Sequence, residues 1–320
     1  VEVVKFVIDE TPYACWDWEL TRKNLEFLEG IDADYFGYVA KLNAPNIDGE
    51  DKHRAALSMR LAYSQGLETL FALLCSAAQA PGCAIGWILN YTNADLVNLV
   101  RKITRTQKIY TRFKSRPVTW QLLAKIIHGA LSCETNKRLW IQEGFGNLWD
   151  NLAREFTDET FTLEYNGIKH GFRVRPGGFR LAIGNEEQRG VPAPGERMVS
   201  LGGSVFGTSY FVKESILPKD KCNFRPRSHS RNWSPQNLAN GLVLISMSIN
   251  NVISWLRSIN GVQPNKCKFN NPTSKDQFEV LWKEHIGVRH IAIDSVITKD
   301  DIMPFPRQDI LDSYSETIVD

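Results

Sequence analysis

The sequence predicts an α+β fold, mainly α: a helical bundle carrying an inserted small antiparallel β-sheet. Three observations lead there. Apolar residues recur at helical spacing over much of residues 17–171, the period changes to strict alternation after Gly171, and a strong helix pattern returns after Ser234. The expected organisation is a bundle with an N-terminal arm over 1–171, a β insertion over 172–233, and a returning bundle helix with a mixed C-terminal segment over 234–320.

Residues 1–8, VEVVKFVI, alternate well enough for a short strand or docked arm. From Asp17 to Leu42 the apolar positions Leu20, Leu25, Leu28, Tyr35, Val39 and Leu42 predict two short helices divided near Gly30 and Asp32, before a loop over 43–51. The strongest helix signal runs from His53 to the Pro81-Gly82 stop, and its broad apolar and small-residue face requires several packing neighbours. Gly66 in its middle costs up to about 1 kcal/mol relative to Ala, which predicts a close helix crossing. Thr92 or Asn93 offers an N-cap for ADLVNLVRKI, and Pro117 stands in the first turn of the next segment. Leu148, Leu152, Phe156, Thr160, Leu163 and Gly167 then keep a spacing of three or four.

Phe172, Val174, Phe179, Leu181 and Ile183 alternate around Pro176-Gly177-Gly178, which predicts a hairpin. The runs RMVSL and SVFGTSYFV extend this to about four strands over 172–213. A polar, proline-bearing stretch follows as a connection. Ser234-Pro235 then opens a helix with Leu238, Leu242, Ile245, Ile249, Val252, Ile253 and Leu256 on one face. The last 60 or so residues contain a short helix near 276–284, a strand HIAIDSVI and a Pro-rich acidic tail.

Neither a membrane span nor a signal peptide is expected, and the scattered cysteines, with no C-x-x-C pair, read as reduced thiols of a cytoplasmic protein. The net charge of +2 hides an uneven layout: residues 101–231 hold 23 Lys/Arg against 12 Asp/Glu, and the remainder 15 against 24. A basic middle between acidic ends calls for an anionic partner or for acidic segments packed against it.

GGSVFGTS, residues 202–209, lacks the lysine of a phosphate loop, since Thr208 stands in its place, and reads as an inter-strand turn. The six histidines form no metal-ligand spacing; only His290 and Asp294 share one side of a strand. No metal and no cofactor are expected. Two basic runs interleaved with aromatics, 101–116 and 223–233, suit a phosphodiester backbone with stacked bases, or else a solvated face with ion pairs.

LEYNGIKHGFRVRPGGFRLAIG, 163–184, is the helix-to-sheet junction. There Lys169 and His170 stand beside Asn166, Arg173 and Arg175, a set suited to binding and polarising a phosphate with His170 as general acid or base. Capping of the last helical carbonyls is the competing role for Lys169 and His170. The expected catalytic residues are therefore His170 and Lys169, and the expected ligand contacts Asn166, Arg173, Arg175, Arg225, His229 and Arg231.

The long helix with its LETLFAL run and the later helix ending YNGIKHG make the chain similar to bacterial HEPN-type helical proteins, over about 53–80 and 145–171. That resemblance implies a dimer-forming bundle of a phage-defence or stress system that acts on RNA. Ribonuclease members carry Arg-x(4–6)-His on one helix. Here the nearest arginine before His170 is Arg154, and Arg225 with His229 is one residue too short. The expected partner is RNA or another phosphate-bearing ligand. The alternative is a non-catalytic protein-interaction or scaffold module.

Overall fold

In the computed structural model the described residues are all except 114–116, 172, 187, 217–221, 280, 282–285, 293–296, 298–300 and 316–320. The chain begins with strands β1 (Glu2–Ile8) and β2 (Thr11–Asp17), then helices α1 (Leu20–Gly30), α2 (Tyr35–Asn43), α3 (Lys52–Gln79), α4 (Ala84–Asn90) and α5 (Asn93–Thr104). Helices α6 (Trp120–Ile127), α7 (Thr135–Phe156) and α8 (Glu159–Lys169) follow. Strands β3 (Val174–Pro176), β4 (Arg180–Ile183), β5 (Val199–Gly203), β6 (Gly207–Ser215) and β7 (Phe224–Asn232) come next, and α9 (Pro235–Ile259), β8 (His290–Ala292) and α10 (Arg307–Ser315) end the chain. The class is α+β and mainly α.

Two compact units form, Val1–Thr162 with Ser234–His285, and Leu163–Trp233 with Ile286–Asp320. Residues 286–320, grouped with the returning helix by sequence, thus belong with the sheet, because β8 pairs with β7.

In the first unit α3 packs on α9, α2, α4, α5 and α7, which explains its burial on nearly every side. Its glycine, Gly66, marks a close crossing: a Cβ there would stand 3.0 Å from the Ile245 side chain of α9 and 3.3 Å from Phe36 of α2. Local capping chemistry sets the boundaries. The Thr92 hydroxyl accepts from Asp95 N–H while Asp95 accepts from Thr92 N–H, a reciprocal capping box. Ser234 caps α9 through Asn237 N–H, with Pro235 in the first turn. Thr119, and not the region of Pro117, begins α6, its hydroxyl accepting from Leu122 N–H.

The N-terminal strand has a partner that the sequence did not reveal. β2 returns antiparallel to β1 after a turn in which Asp9 takes a φ of 52°. Asp9 accepts from Asn98 and Lys102, and this ties the turn to α5. Helix α9 is the one described helix long and apolar enough to cross a membrane; 61% of its apolar window is buried, as expected of a core helix.

In the second unit β3, β6, β7 and β8 form a four-stranded sheet in that order, and β4 pairs with β5 separately. The hairpin expected around Pro176-Gly177-Gly178 is therefore not a pair of neighbours: β3 runs against β6 and β4 against β5. Gly177, at a φ of 124°, donates to the Gly207 carbonyl, and a Cβ on Gly178 would fall 2.3 Å from the Ser204 carbonyl oxygen. The glycines let the chain pass close beside the turn before β6 and then leave the sheet. The polar stretch read as a connection is strand β7, paired along its whole length with β6.

Candidate functional site

The register of the four-stranded sheet sorts its side chains into two faces, because paired residues point to the same side and neighbours along a strand alternate. Tyr210 pairs with His229, and His229 with Ala292; two positions on, Thr208 pairs with Arg231 and Arg231 with His290. Arg225, Arg227, His229 and Arg231 therefore stand in one column on β7, facing the same way as Thr208, Tyr210 and Glu214 of β6. Helix α8 lies against this face: a Cβ on Gly167 would sit 3.3 Å from Val174 Cγ1 and 3.5 Å from Tyr210 Cβ.

Each basic residue of the column is engaged. Glu164 of α8, 1% exposed, accepts from Thr208 Oγ1 at 2.5 Å and from Trp233 Nε1 at 3.0 Å, with Arg231 Nε 3.7 Å away. His229 Nδ1 is 3.0 Å from His290 Nε2, so one of these nitrogens carries the proton between them, and the His229 ring stacks on Tyr210 at 5.8 Å. Arg225 and Arg227 donate to the two oxygens of Glu214 at 2.5 and 2.9 Å. The Arg225 hydrogen bond, with the charge of both guanidiniums, holds the Glu214 carboxyl below the usual range.

The opposite face is open. It presents Arg175 of β3, Ser209, Phe211 and Lys213 of β6, and Phe224, Ser228 and Ser230 of β7. Phe211 is 70% exposed and Phe224 50%. Lys213 Nζ stands 4.7 Å above the Phe224 ring, and the Ser209 and Ser230 hydroxyls bond to each other at 2.7 Å. Among the described residues of these strands, no carboxylate points to this side.

The residues singled out from sequence therefore do not form one cluster. Arg225, His229 and Arg231 share the face under α8, while Arg175, opposite Ser209, is on the other. Asn166 is half-buried on α8, its carbonyl accepting from His170 N–H at 3.0 Å. His170 is exposed, and its ring makes no hydrogen bond among the described residues. Lys169 Nζ lies 5.4 Å above the Tyr165 ring. Gly171, at a φ of 92°, ends the helix, and Arg173 N–H returns to the Gly167 carbonyl at 2.8 Å. The junction thus has the backbone geometry of a helix C-terminus.

The other basic run is partly neutralised within its own unit. Lys102 pairs with Asp9 and Glu10 at 2.7 and 2.8 Å, and Arg112 donates to the Lys5 carbonyl. Residues 114–116 of that run lie outside the described residues, as does Asp294, the proposed neighbour of His290. GGSVFGTS joins two strands, with no helix after it to receive a phosphate. No group of three or more His, Cys, Asp or Glu is placed to hold a metal among the described residues.

Sequence reasoning passed over Phe211, Phe224 and Lys213. Their signal was the alternation in FRPRSHSRN, which puts Phe224, Pro226, Ser228 and Ser230 on one side once the segment is taken as a strand. Comparisons with family models, with curated proteins and with solved structures find no match.

Proposed function

We propose that the chain binds RNA, or another phosphate-bearing ligand, through its basic central region, as a HEPN-like helical protein of a bacterial defence or stress system. The observation that carries this reading is the ratio of charges on β6 and β7. Strands β6 and β7 together carry Lys213, Arg225, Arg227 and Arg231 against one carboxylate of their own, Glu214, which accepts from both Arg225 and Arg227. Surplus cations on a nucleic-acid surface gain affinity by displacing counterions, and that gain weakens as salt rises. Cleavage is the catalytic extension: exposed His170 transfers the proton, and Lys169 steadies charge on phosphorus.

RNA affinity of the whole chain measured across salt concentrations tests the binding. A steep fall from low to moderate salt is expected, and no binding at low salt defeats the proposal. For cleavage, His170→Ala is expected to abolish activity in a folded protein; full activity in that variant removes His170 from the chemistry.

The second reading is a non-catalytic protein-interaction module. It draws on the β1–β2 hairpin, where Val3 pairs with Trp16, and Val3, Trp16 and Trp18 are 40%, 65% and 77% exposed. Exposed apolar side chains of this size suit a protein contact. Light scattering separates the two readings, because Trp16→Ser changes the association state only under the second.

A further inference from the structure

We propose that the groove between α2 and α9 binds a short peptide of about three residues with both termini free, its ammonium on Asp34 and its carboxylate on Lys41. The groove lies wholly within the first unit, has a volume of about 580 Å³, and takes its third wall from residues 269–271. Its size is that of an ordinary small-ligand site. The inference is independent of the nucleic-acid reading.

The charges stand at the two ends of the groove. Asp34, Tyr38 and Lys41 follow one another along α2 at steps of four and three residues, so they share a face. At roughly 1.5 Å of rise per residue the two charged positions are about 10 Å apart, too far to pair with each other. Neither side chain makes an ion pair or hydrogen bond among the described residues. Their order also suits the α2 dipole, a role in stability that a binding measurement does not see.

Between the ends the walls are apolar and the base is polar. Tyr38, 61% exposed, lines the groove with Phe269, Val243 and Met247. Ser246 is 6% exposed, and its Oγ accepts from Gly37 N–H at 2.8 Å. Its neighbour on α9, Ser248, gives its proton to the Leu244 carbonyl, whereas the Ser246 proton has no acceptor among the described residues. A buried donor left unspent is costly, and a ligand carbonyl removes that cost. Gly37 keeps the hydroxyl uncovered. A Cβ there would stand 3.4 Å from Ser246 Oγ, an ordinary contact, so packing alone does not demand this poor helix former inside α2.

The third wall is held in place by the protein itself. Fully buried Asn251 exchanges two hydrogen bonds of 2.7 Å with the backbone of Asn270, while Asn250 Nδ2 and Ser254 Oγ donate to the Lys268 carbonyl at 2.9 and 2.6 Å. The Asn270 side chain is left exposed at the rim, a donor and acceptor suited to a peptide bond. A ligand that meets all of these groups carries a cation and an anion at opposite ends, a carbonyl and an apolar branch. Three extended residues span about 10 Å, whereas a single amino acid is too short to reach both ends.

Isothermal titration calorimetry of the full chain tests this with Gly-Phe-Gly in three forms: both termini free, N-acetylated and C-amidated. The free form is expected to bind, and blocking either terminus to weaken it about tenfold. In Asp34→Asn the free and acetylated forms should bind alike, and in Lys41→Gln the free and amidated forms should, each variant keeping its sensitivity to the other block. Both positions are exposed, and an unchanged circular-dichroism spectrum shows each variant folded. No binding of the free tripeptide at millimolar concentration overturns the proposal, and so does equal binding of the three forms by the parent. Free phenylalanine that binds as tightly as the tripeptide overturns it as well. The nucleic-acid reading stands or falls separately, because no probe here carries phosphate.

Discussion

The indole N–H of Trp233 donates to Glu164 Oε1 over 3.0 Å, joining the residue after β7 to the middle of α8. Thr208 donates to the same oxygen. A carboxylate 1% exposed is tolerable only with such partners, and Arg231, 3.7 Å from the second oxygen, supplies the countercharge. Glu164→Ala leaves the Thr208 and Trp233 donors facing a void and is expected to destabilise the sheet unit by about 3–5 kcal/mol. Glu164→Gln, which keeps an acceptor, costs less. Hydrogen exchange at the β6 and β7 amides reads the loss locally; unchanged protection in the alanine variant would mean that α8 holds the sheet by apolar contact alone.

His128 makes the first unit sensitive to acid. Its ring is fully buried, stacked on Phe145 at 4.6 Å, with Nδ1 donating to the Ala124 carbonyl and Nε2 accepting from Asn251. Burial pushes its pKa down to about 4, whereas the unfolded chain takes up the proton near 6.5. Between those values the unfolded state binds more protons. The stability that neutral His128 contributes is thus complete above about pH 6.5 and is lost as pH falls towards 4, by about 3 kcal/mol. Urea midpoints at pH 7 and pH 4.5 should show this drop in the parent and a shallower one in His128→Gln. Equal slopes in the two proteins would place the acid sensitivity elsewhere.

Gly144 of α7 is fixed by its neighbour. An added Cβ would fall 2.3 Å from the ring of Phe278, which is itself 6% exposed. Gly144→Ala gains up to about 1 kcal/mol of helix propensity and loses about 1–3 kcal/mol to overpacking, so the net expectation is a lower melting temperature. In a Phe278→Ala background the clash is gone, and the same substitution should stabilise. Additive effects in the double variant would sever the steric link between these two positions.

What the sequence disclosed and what it concealed divide by the range of the interaction. Thr92 and Ser234 cap helices through bonds to amides three residues away, so the starts of α5 and α9 were legible in a few letters. Gly66 likewise announced a crossing that Ile245 and Phe36 complete. Strand pairing is not local, and the alternating residues on either side of Pro176-Gly177-Gly178 suggested a hairpin although β3 and β4 pair with different strands. β7 was hidden by Pro226 and by polar side chains on both faces, which mimic a loop. With β7 unread, Arg225, His229 and Arg231 were found as basic residues, but the side of the sheet they share, and the opposite side with Phe211 and Phe224, were out of reach.

The same register gives a direct test of the arginine column. Arg225 and Arg227 both spend hydrogen bonds on Glu214, and the carboxyl in turn is held ionised by them. Glu214→Gln removes the charge while keeping the shape, which leaves two guanidiniums with a neutral amide in place of their shared carboxylate. If this end of the sheet meets phosphates, RNA affinity at low salt should rise severalfold, and the slope of log affinity against log salt should steepen by up to about 0.9 for one more neutralised phosphate on a duplex, less on a single strand. Arg225→Gln and Arg227→Gln should move both quantities the other way. Unchanged affinity and slope in all three variants would take Arg225 and Arg227 out of the contact and leave the column a purely internal ion-pair network beneath the open face.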